Sequence, residues 1–293
     1  MTSPRPLPED TLSSITYVEP SRSEPEIPLA GGDVTEGVVR IGDTVRRTVS
    51  PNAPLVHALL RHLEQAGFAG APRFLGIDAA GREVLTFVPG EVAGRPRPAW
   101  LDDEKRLASV ARLVREYHDA VAGFTVPEDV VPGWGVTETP GMPPLPPYPP
   151  ELVGHMDYTP DNIVFRDGEA VALIDFDMAK PVTRVDELVN TMMYWAPLAD
   201  PADADPPLKD VDVPRRCRIV ADAYGMPELD RSRVVEVAVM RTRRAWFSMK
   251  RIAEERGGGW ARMWDEGVGD VIKRREAWLE QNAAAIDAAL TAP

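Results

Sequence analysis

Residues 154–177 read Gly154-His155-Met156-Asp157-Tyr158-Thr159-Pro160-Asp161-Asn162, then Ile163 to Ala172, then Leu173-Ile174-Asp175-Phe176-Asp177. Between the outer segments, two apolar runs flank Asp167-Gly168, a strong short-range signal for a β-hairpin. A hairpin brings its ends together. Asn162 enters the first strand and Asp175 leaves the second, so both belong at one end, beside Asp157. Two carboxylates and an amide converging there suit Mg²⁺, a hard cation that takes oxygen ligands and substrate phosphates.

The rest of the chain bounds what such a centre can serve. Its 293 residues suffice for one large domain or two lobes. A net charge of −13 argues against nucleic acid, whose phosphates would be repelled. A single cysteine, Cys217, excludes a disulfide framework and points to a reducing compartment. No apolar run approaches a membrane span, and the N-terminus lacks an apolar signal core. The expectation is a cytoplasmic protein without membrane or nucleic-acid partners.

Upstream of the quoted stretch, residues 1–24 are rich in Pro, Ser and Glu and read as a flexible arm. Residues 25–90 carry a β-like pattern: Ile27 to Ala30, Val38 to Ile41, Thr44 to Val49, Arg73 to Ile77 and Glu83 to Val88. Val56, Leu59, Leu60 and Leu63 place one helix among these strands. From residue 91 the pattern turns helical. Leu107, Val110, Val114, Tyr117 and Val121 form the stripe of a long helix ending near Gly123. The Pro-rich residues 139–150 form a stiff connector. Further helices are expected from Glu187 to Trp195 and over 214–224, 230–256 and 260–289, with an acidic loop over 199–212.

The spacing His155-x-Asp157-x-x-x-x-Asn162, a hairpin, then Asp175-Phe176 resembles the catalytic and metal-binding segments of protein-kinase-like enzymes. Together with the small β-rich region, the long helix and the helical remainder, the chain resembles the aminoglycoside phosphotransferase family of small-molecule kinases. The resemblance implies an α+β fold of two lobes, with residues 25–90 as a nucleotide-binding N-lobe and 91–293 as a catalytic C-lobe. It implies an ATP- or GTP- and Mg²⁺-dependent transfer of phosphate to a hydroxyl of a small molecule. Asp157 then matches the catalytic base, and Asn162 and Asp175 match the Mg²⁺ ligands. His155 matches a buttress of the catalytic loop, and Asp186 an anchor of that loop from the next helix. Asp177 is read as capping a turn, with contact to a second metal as the alternative.

In the N-lobe, Gly31, Gly32 and Gly37 belong to a loop whose amides would face phosphates. Phe87 and Val88 would form the hinge that offers backbone groups to a nucleotide base. The family grips the phosphates with a lysine on the third strand, yet no lysine precedes Lys105. Arg47 is the replacement by register, with Arg46 as the alternative. The family's helix also offers that lysine a glutamate, and here the helix carries only Glu64, at its far end. These departures motivate a second reading, a kinase fold that binds nucleotide or a partner without turnover. For the acceptor, the acidic loop suggests a cationic antibiotic or metabolite if it lines the cleft. A solvated loop explains it as well.

Overall fold

A computed structural model describes residues 24–29, 37–130, 139–144 and 147–292. The arm over residues 1–23 and the loop glycines Gly31 and Gly32 lie outside the described residues. The first half holds a five-stranded antiparallel sheet. Its strands are β1 (Ile27–Pro28), β2 (Val39–Ile41), β3 (Thr44–Thr48), β4 (Phe74–Ile77) and β5 (Arg82–Thr86), in the order β1-β2-β3-β5-β4. Helix α1 (Ala53–Gln65) follows β3 and buries Leu55, Val56, Leu59, Leu60 and Leu63. The 3.6-residue repeat of those side chains is what makes it a helix with one apolar face. Asn52, at its start, donates Nδ2 to the carbonyls of Asp177 and Ala179. That pair of bonds fixes the sheet half against the segment that carries Asp175.

The remainder is mainly helical. Helix α2 (Glu104–Ala120) is capped by Asp103, which accepts from the Lys105 and Arg106 amides. Leu107, Val110, Val114 and Tyr117 on its inner face are fully buried. Strand β6 (Leu152–Gly154) leads into the catalytic segment, and β7 (Ile163–Arg166) pairs with β8 (Glu169–Leu173). The turn between them has positive φ at Asp167 (51°) and Gly168 (83°), the geometry that Asp-Gly favours in a tight hairpin. Strand β9 (Lys180–Val182) returns to pair with β6, a short ladder that the sequence pattern does not announce. Then come α3 (Arg184–Trp195), α4 (Val213–Tyr224), α5 (Glu228–Arg231), α6 (Val234–Arg256), α7 (Gly258–Asp265) and α8 (Val268–Thr291). The described part of the 139–150 connector is neither helix nor strand. The architecture is α+β and protein-kinase-like, a small antiparallel sheet with one helix set against a larger helical body. No helix among the described residues is long and apolar enough to cross a membrane.

Candidate active site

Between β6 and β7 the chain runs as a loop held from below by one buried carboxylate. Glu187 on α3 accepts the His155 amide (2.9 Å), the Met156 amide (2.8 Å) and the Tyr158 hydroxyl (2.5 Å). His118 of α2 lies 3.3 Å from the same carboxylate. Burial alone would raise the Glu187 pKa, but the hydrogen bonds from His118 and Tyr158 outweigh it and hold the carboxyl below its usual range. Gly154 has no side chain because none fits: a Cβ there would run into Glu187 and Val182. The Asn190 side chain adds a bond to the Tyr158 amide (3.0 Å). Met156 takes a positive φ of 65° within this clamp.

The anchor of the loop is therefore Glu187 and not Asp186. Asp186 completes a capping box with Thr183 at the start of α3, which uses its carboxylate at the helix end. His155 buttresses the loop by a defined tautomer. Its Nδ1 accepts the Asp157 amide (3.2 Å), so Nε2 carries the proton it donates to the Ile174 carbonyl (2.9 Å). Complete burial lowers its pKa and keeps the ring neutral. One imidazole thus ties the Asp157 loop to the Asp175 loop.

The hairpin brings Asp157, Asn162 and Asp175 together. The Ile174 amide bonds the Asn162 carbonyl at 2.9 Å, closing the open end of β7 and β8. Asn162 Nδ2 donates to Asp157 Oδ2 at 2.7 Å, which leaves its Oδ1 as the atom able to meet a metal. Burial, then the charge of Asp175, push the Asp157 carboxyl up to about 7, against the pull of hydrogen bonds from Asn162 and Thr159. A group that titrates near neutrality beside an incoming hydroxyl is matched to accept its proton. Asp175 sits at a positive φ of 61°, turning its carboxylate toward the sheet half.

There it meets Arg47. The guanidinium sends Nε to Glu83 (2.7 Å), Nη1 to Asp175 (2.8 Å) and Nη2 to Asp177 (2.6 Å). Arg46 points elsewhere, to Asp78 at 3.7 Å. The glutamate partner of Arg47 is Glu83, its cross-strand neighbour on β5, and not Glu64, which is half-exposed and lies 3.9 Å from Arg73. His57 of α1 reaches Glu83 at 2.9 Å, so the helix takes part through a histidine. Asp177, read as a turn cap, holds Arg47. Its pKa is pushed up to about 6, by burial first, with Arg47 pulling down and Asp175 pushing up. Phe87 follows β5 as the hinge reading expects, but its amide already donates to the Asp43 carbonyl (2.8 Å). Of the hinge and loop positions, that leaves the Phe87 carbonyl, Val88 and the described Gly37, whose φ is 77°.

The carboxylates around Arg47 bear on a metal. Glu83, Asp175 and Asp177 place three acidic groups on one guanidinium. The excess of negative charge, with the Asn162 amide oxygen adjacent, is a donor set that fits Mg²⁺. Asn162 and Asp175 would hold it, with phosphate oxygens and water completing the shell. Among the described residues no group of three or more His, Cys, Asp or Glu forms a metal cage by itself.

The phosphotransferase enzyme family matches residues 141–218, which span the whole clamp. A trifolitoxin immunity protein of Rhizobium leguminosarum bv. trifolii is 36% identical over 217 residues, 72% of this chain and 78% of that protein. The chain belongs to the phosphotransferase enzyme family. Among solved structures, a choline/ethanolamine kinase family protein from Mesorhizobium loti superposes with a TM-score of 0.58 at 17% identity, covering 93% of this chain and 94% of that one. The ethanolamine kinase of Plasmodium vivax gives 0.58 at 10% identity over 88% of this chain and 82% of its own. An ADP-bound aminoglycoside phosphotransferase, APH(2'')-Ib, gives 0.53 at 13% identity over 94% and 96%. At these identities the structures show the fold. In the acidic loop, where a cleft-lining and a solvated reading were both open, the carboxylates have partners. Asp205 and Asp161 share Arg97, Asp203 holds Arg274, and Asp200 and Asp212 cap helical turns. Those carboxylates, the ground for expecting a cationic acceptor, are largely engaged within the protein.

Proposed function

We propose that this small-molecule phosphotransferase moves the γ-phosphoryl group of ATP to an acceptor hydroxyl, with Asp157 as the base. The observation that carries the reading is the joined pair Asp157–Asn162 with Asp175 alongside, locked through His155 and Glu187. The P–O bond to the leaving ADP breaks, the bond from phosphorus to the acceptor oxygen forms, and the hydroxyl proton passes to Asp157. In this reading Arg47 supplies the guanidinium for the phosphate oxygens through the N–H groups its carboxylates leave, and Glu83 orients it. When bound at Asn162 and Asp175, Mg²⁺ supplies neutralising charge to the phosphate oxygens. The immunity role in the relative's name supports a protective reading, in which phosphorylation inactivates a toxic metabolite.

One observation favours a second reading, nucleotide binding without turnover. Each of the three guanidinium nitrogens of Arg47 already donates to a carboxylate, one of them on the proposed metal ligand Asp175. Incubation with ATP, Mg²⁺ and a panel of hydroxyl metabolites distinguishes the two. The kinase reading expects one compound to gain the mass of one phosphate with the wild type and not with Asp157→Ala or Asp175→Ala. Equal, background-level transfer and ATP hydrolysis in all three proteins sinks it.

A further inference from the structure

A group of cations on α6, α8 and β9 lies within electrostatic reach of the Asp157 loop. Arg241 of α6 directs Nη1 to the Met156 sulfur at 3.9 Å, one residue from the base. Tyr194 of α3 feels the charges of Asp157, Arg275 and Arg241 together, so all three lie within electrostatic reach of one phenol. Lys180 on β9 lies within electrostatic reach of Arg241 and Arg244, and Arg244 is buried, donating to the Pro143 carbonyl. Burial and then the neighbouring Arg241 press the Lys180 pKa down to about 8. Four cations from three elements therefore converge near the base.

Lys180, Arg241 and Arg275 are distinguished by their lack of a carboxylate partner among the described residues. On the outer faces of the same helices the arginines have carboxylates: Arg243 holds Glu276 and Glu280, and Arg274 holds Asp203. Among the described residues no carboxylate forms an ion pair with Lys180, Arg241 or Arg275. The Nε of Arg275 is buried and has no hydrogen-bond partner there. Nearby acids are already committed, Glu187 to the loop amides and Asp203 to Arg274. A chain of net charge −13 has carboxylates to spare. Leaving half-buried cations such as Lys180, Arg241 and Arg275 without an ion pair costs stability, and folds tolerate that cost where a ligand supplies the missing charge.

We propose that Arg241 and Arg275, with Lys180 and Arg244 beside them, form the subsite for an anionic group of the acceptor, so that the acceptor is a hydroxyl compound bearing a carboxylate or phosphate. The inference rests on the reading of Asp157 as the base. It reverses the charge expected from the acidic loop. The guanidinium forks would bind the anion while the acceptor hydroxyl faces Asp157.

The test uses the full chain loaded with Mg²⁺ and a non-hydrolysable ATP analogue. Matched four-carbon probes with a terminal hydroxyl, namely hydroxybutyrate, butanediol and aminobutanol, are titrated by thermal shift. Glycerol phosphate serves as the phosphate arm, and it decides between carboxylate and phosphate by the larger shift. The same probes are then offered with ATP and scored by kcat/KM. Hydroxybutyrate or glycerol phosphate should bind best and be phosphorylated best. Arg241→Gln and Arg275→Gln should each weaken that preference roughly ten- to a hundredfold, the loss of a charge-assisted hydrogen bond. The outward-facing Arg243→Gln should leave it unchanged. Preference for aminobutanol, or Arg241 and Arg275 variants that behave like Arg243→Gln, overturns the subsite. Arginine-dependent anion binding with no transfer to any probe supports the subsite while counting against the kinase reading, so the two failures are distinct.

Discussion

Replacing Asp157 by asparagine should abolish transfer and stabilise the protein, by an amount that grows with pH. The folded carboxyl titrates at about 7 against an ordinary 3.8. Between those values the folded state keeps a proton that the unfolded state has lost, so wild-type stability falls as pH rises and levels off above 7. At about 1.4 kcal/mol per pH unit, the penalty is roughly 1.6 kcal/mol at pH 5 and about 4 kcal/mol at pH 8. The substituted amide keeps the shape and carries none of it. The stability gap between variant and wild type should therefore widen by about 2.5 kcal/mol between pH 5 and pH 8, or about 5 °C in Tm for a chain of this size. Thermal melts without nucleotide or Mg²⁺ measure it directly. A gap that stays flat over this range would show that Asp157 ionises like a surface carboxylate, and the account of a base tuned by burial and Asp175 would be wrong.

Three further substitutions probe other parts of the site. Gly154→Ala places a Cβ against Glu187 and Val182. It should cost roughly 1–3 kcal/mol in chemical denaturation and lower kcat more than nucleotide affinity, because it dislodges the loop anchor. Glu83→Gln removes one of the three negative charges on Arg47 and weakens its Nε bond to that of a neutral acceptor; kcat/KM for ATP should fall roughly ten- to a hundredfold from the lost alignment, with circular dichroism unchanged. Arg275→Met removes a half-buried guanidinium whose buried Nε has no hydrogen-bond partner among the described residues and should raise Tm by about 2 °C or more; a fall in Tm would mean that the guanidinium has a stabilising partner.

The parts of this site that were legible in sequence are the local ones. Asp167-Gly168 dictates the hairpin, the hairpin dictates that Asn162 and Asp175 meet, and Asp157 follows from its spacing to Asn162. Where long-range pairing decides, the sequence is silent. Glu83 meets Arg47 because β3 and β5 are antiparallel neighbours in one register, and no local pattern ties positions 36 residues apart. The Asp186 reading failed by one residue, which on a helix is a turn of about 100°. A sharper reading was available there, since Thr183-x-x-Asp186 is a capping box and marks Asp186 as the group used at the helix end. The inward cations escaped notice because Arg241 and Arg243 differ only in which face of α6 they occupy, and that is set by packing on α3 and α8.

The two sides of Asp157 are oppositely charged, and this bears on how the base works. Toward the nucleotide, three carboxylates share Arg47; toward the helical body, Arg241 and Arg275 stand without ion pairs among the described residues. An anionic acceptor brought beside Asp157 would push its carboxyl further up and protonate the base at neutral pH. Cations lining that side cancel the push. The arginines therefore have two separable effects, binding the acceptor's charge and keeping Asp157 ionised in its presence. The acidic limb of the kcat profile and the KM separate them. In Arg275→Gln the limb should move to higher pH with anionic and neutral acceptors alike, because the lost charge acts on Asp157 whichever acceptor is bound, while KM should rise for the anionic acceptor alone. A limb that stays in place with both would mean that Arg275 does not reach Asp157, and an unchanged KM for the anionic acceptor would mean that it does not bind the acceptor's charge; either result removes one half of the division into an acidic metal side and a basic acceptor side.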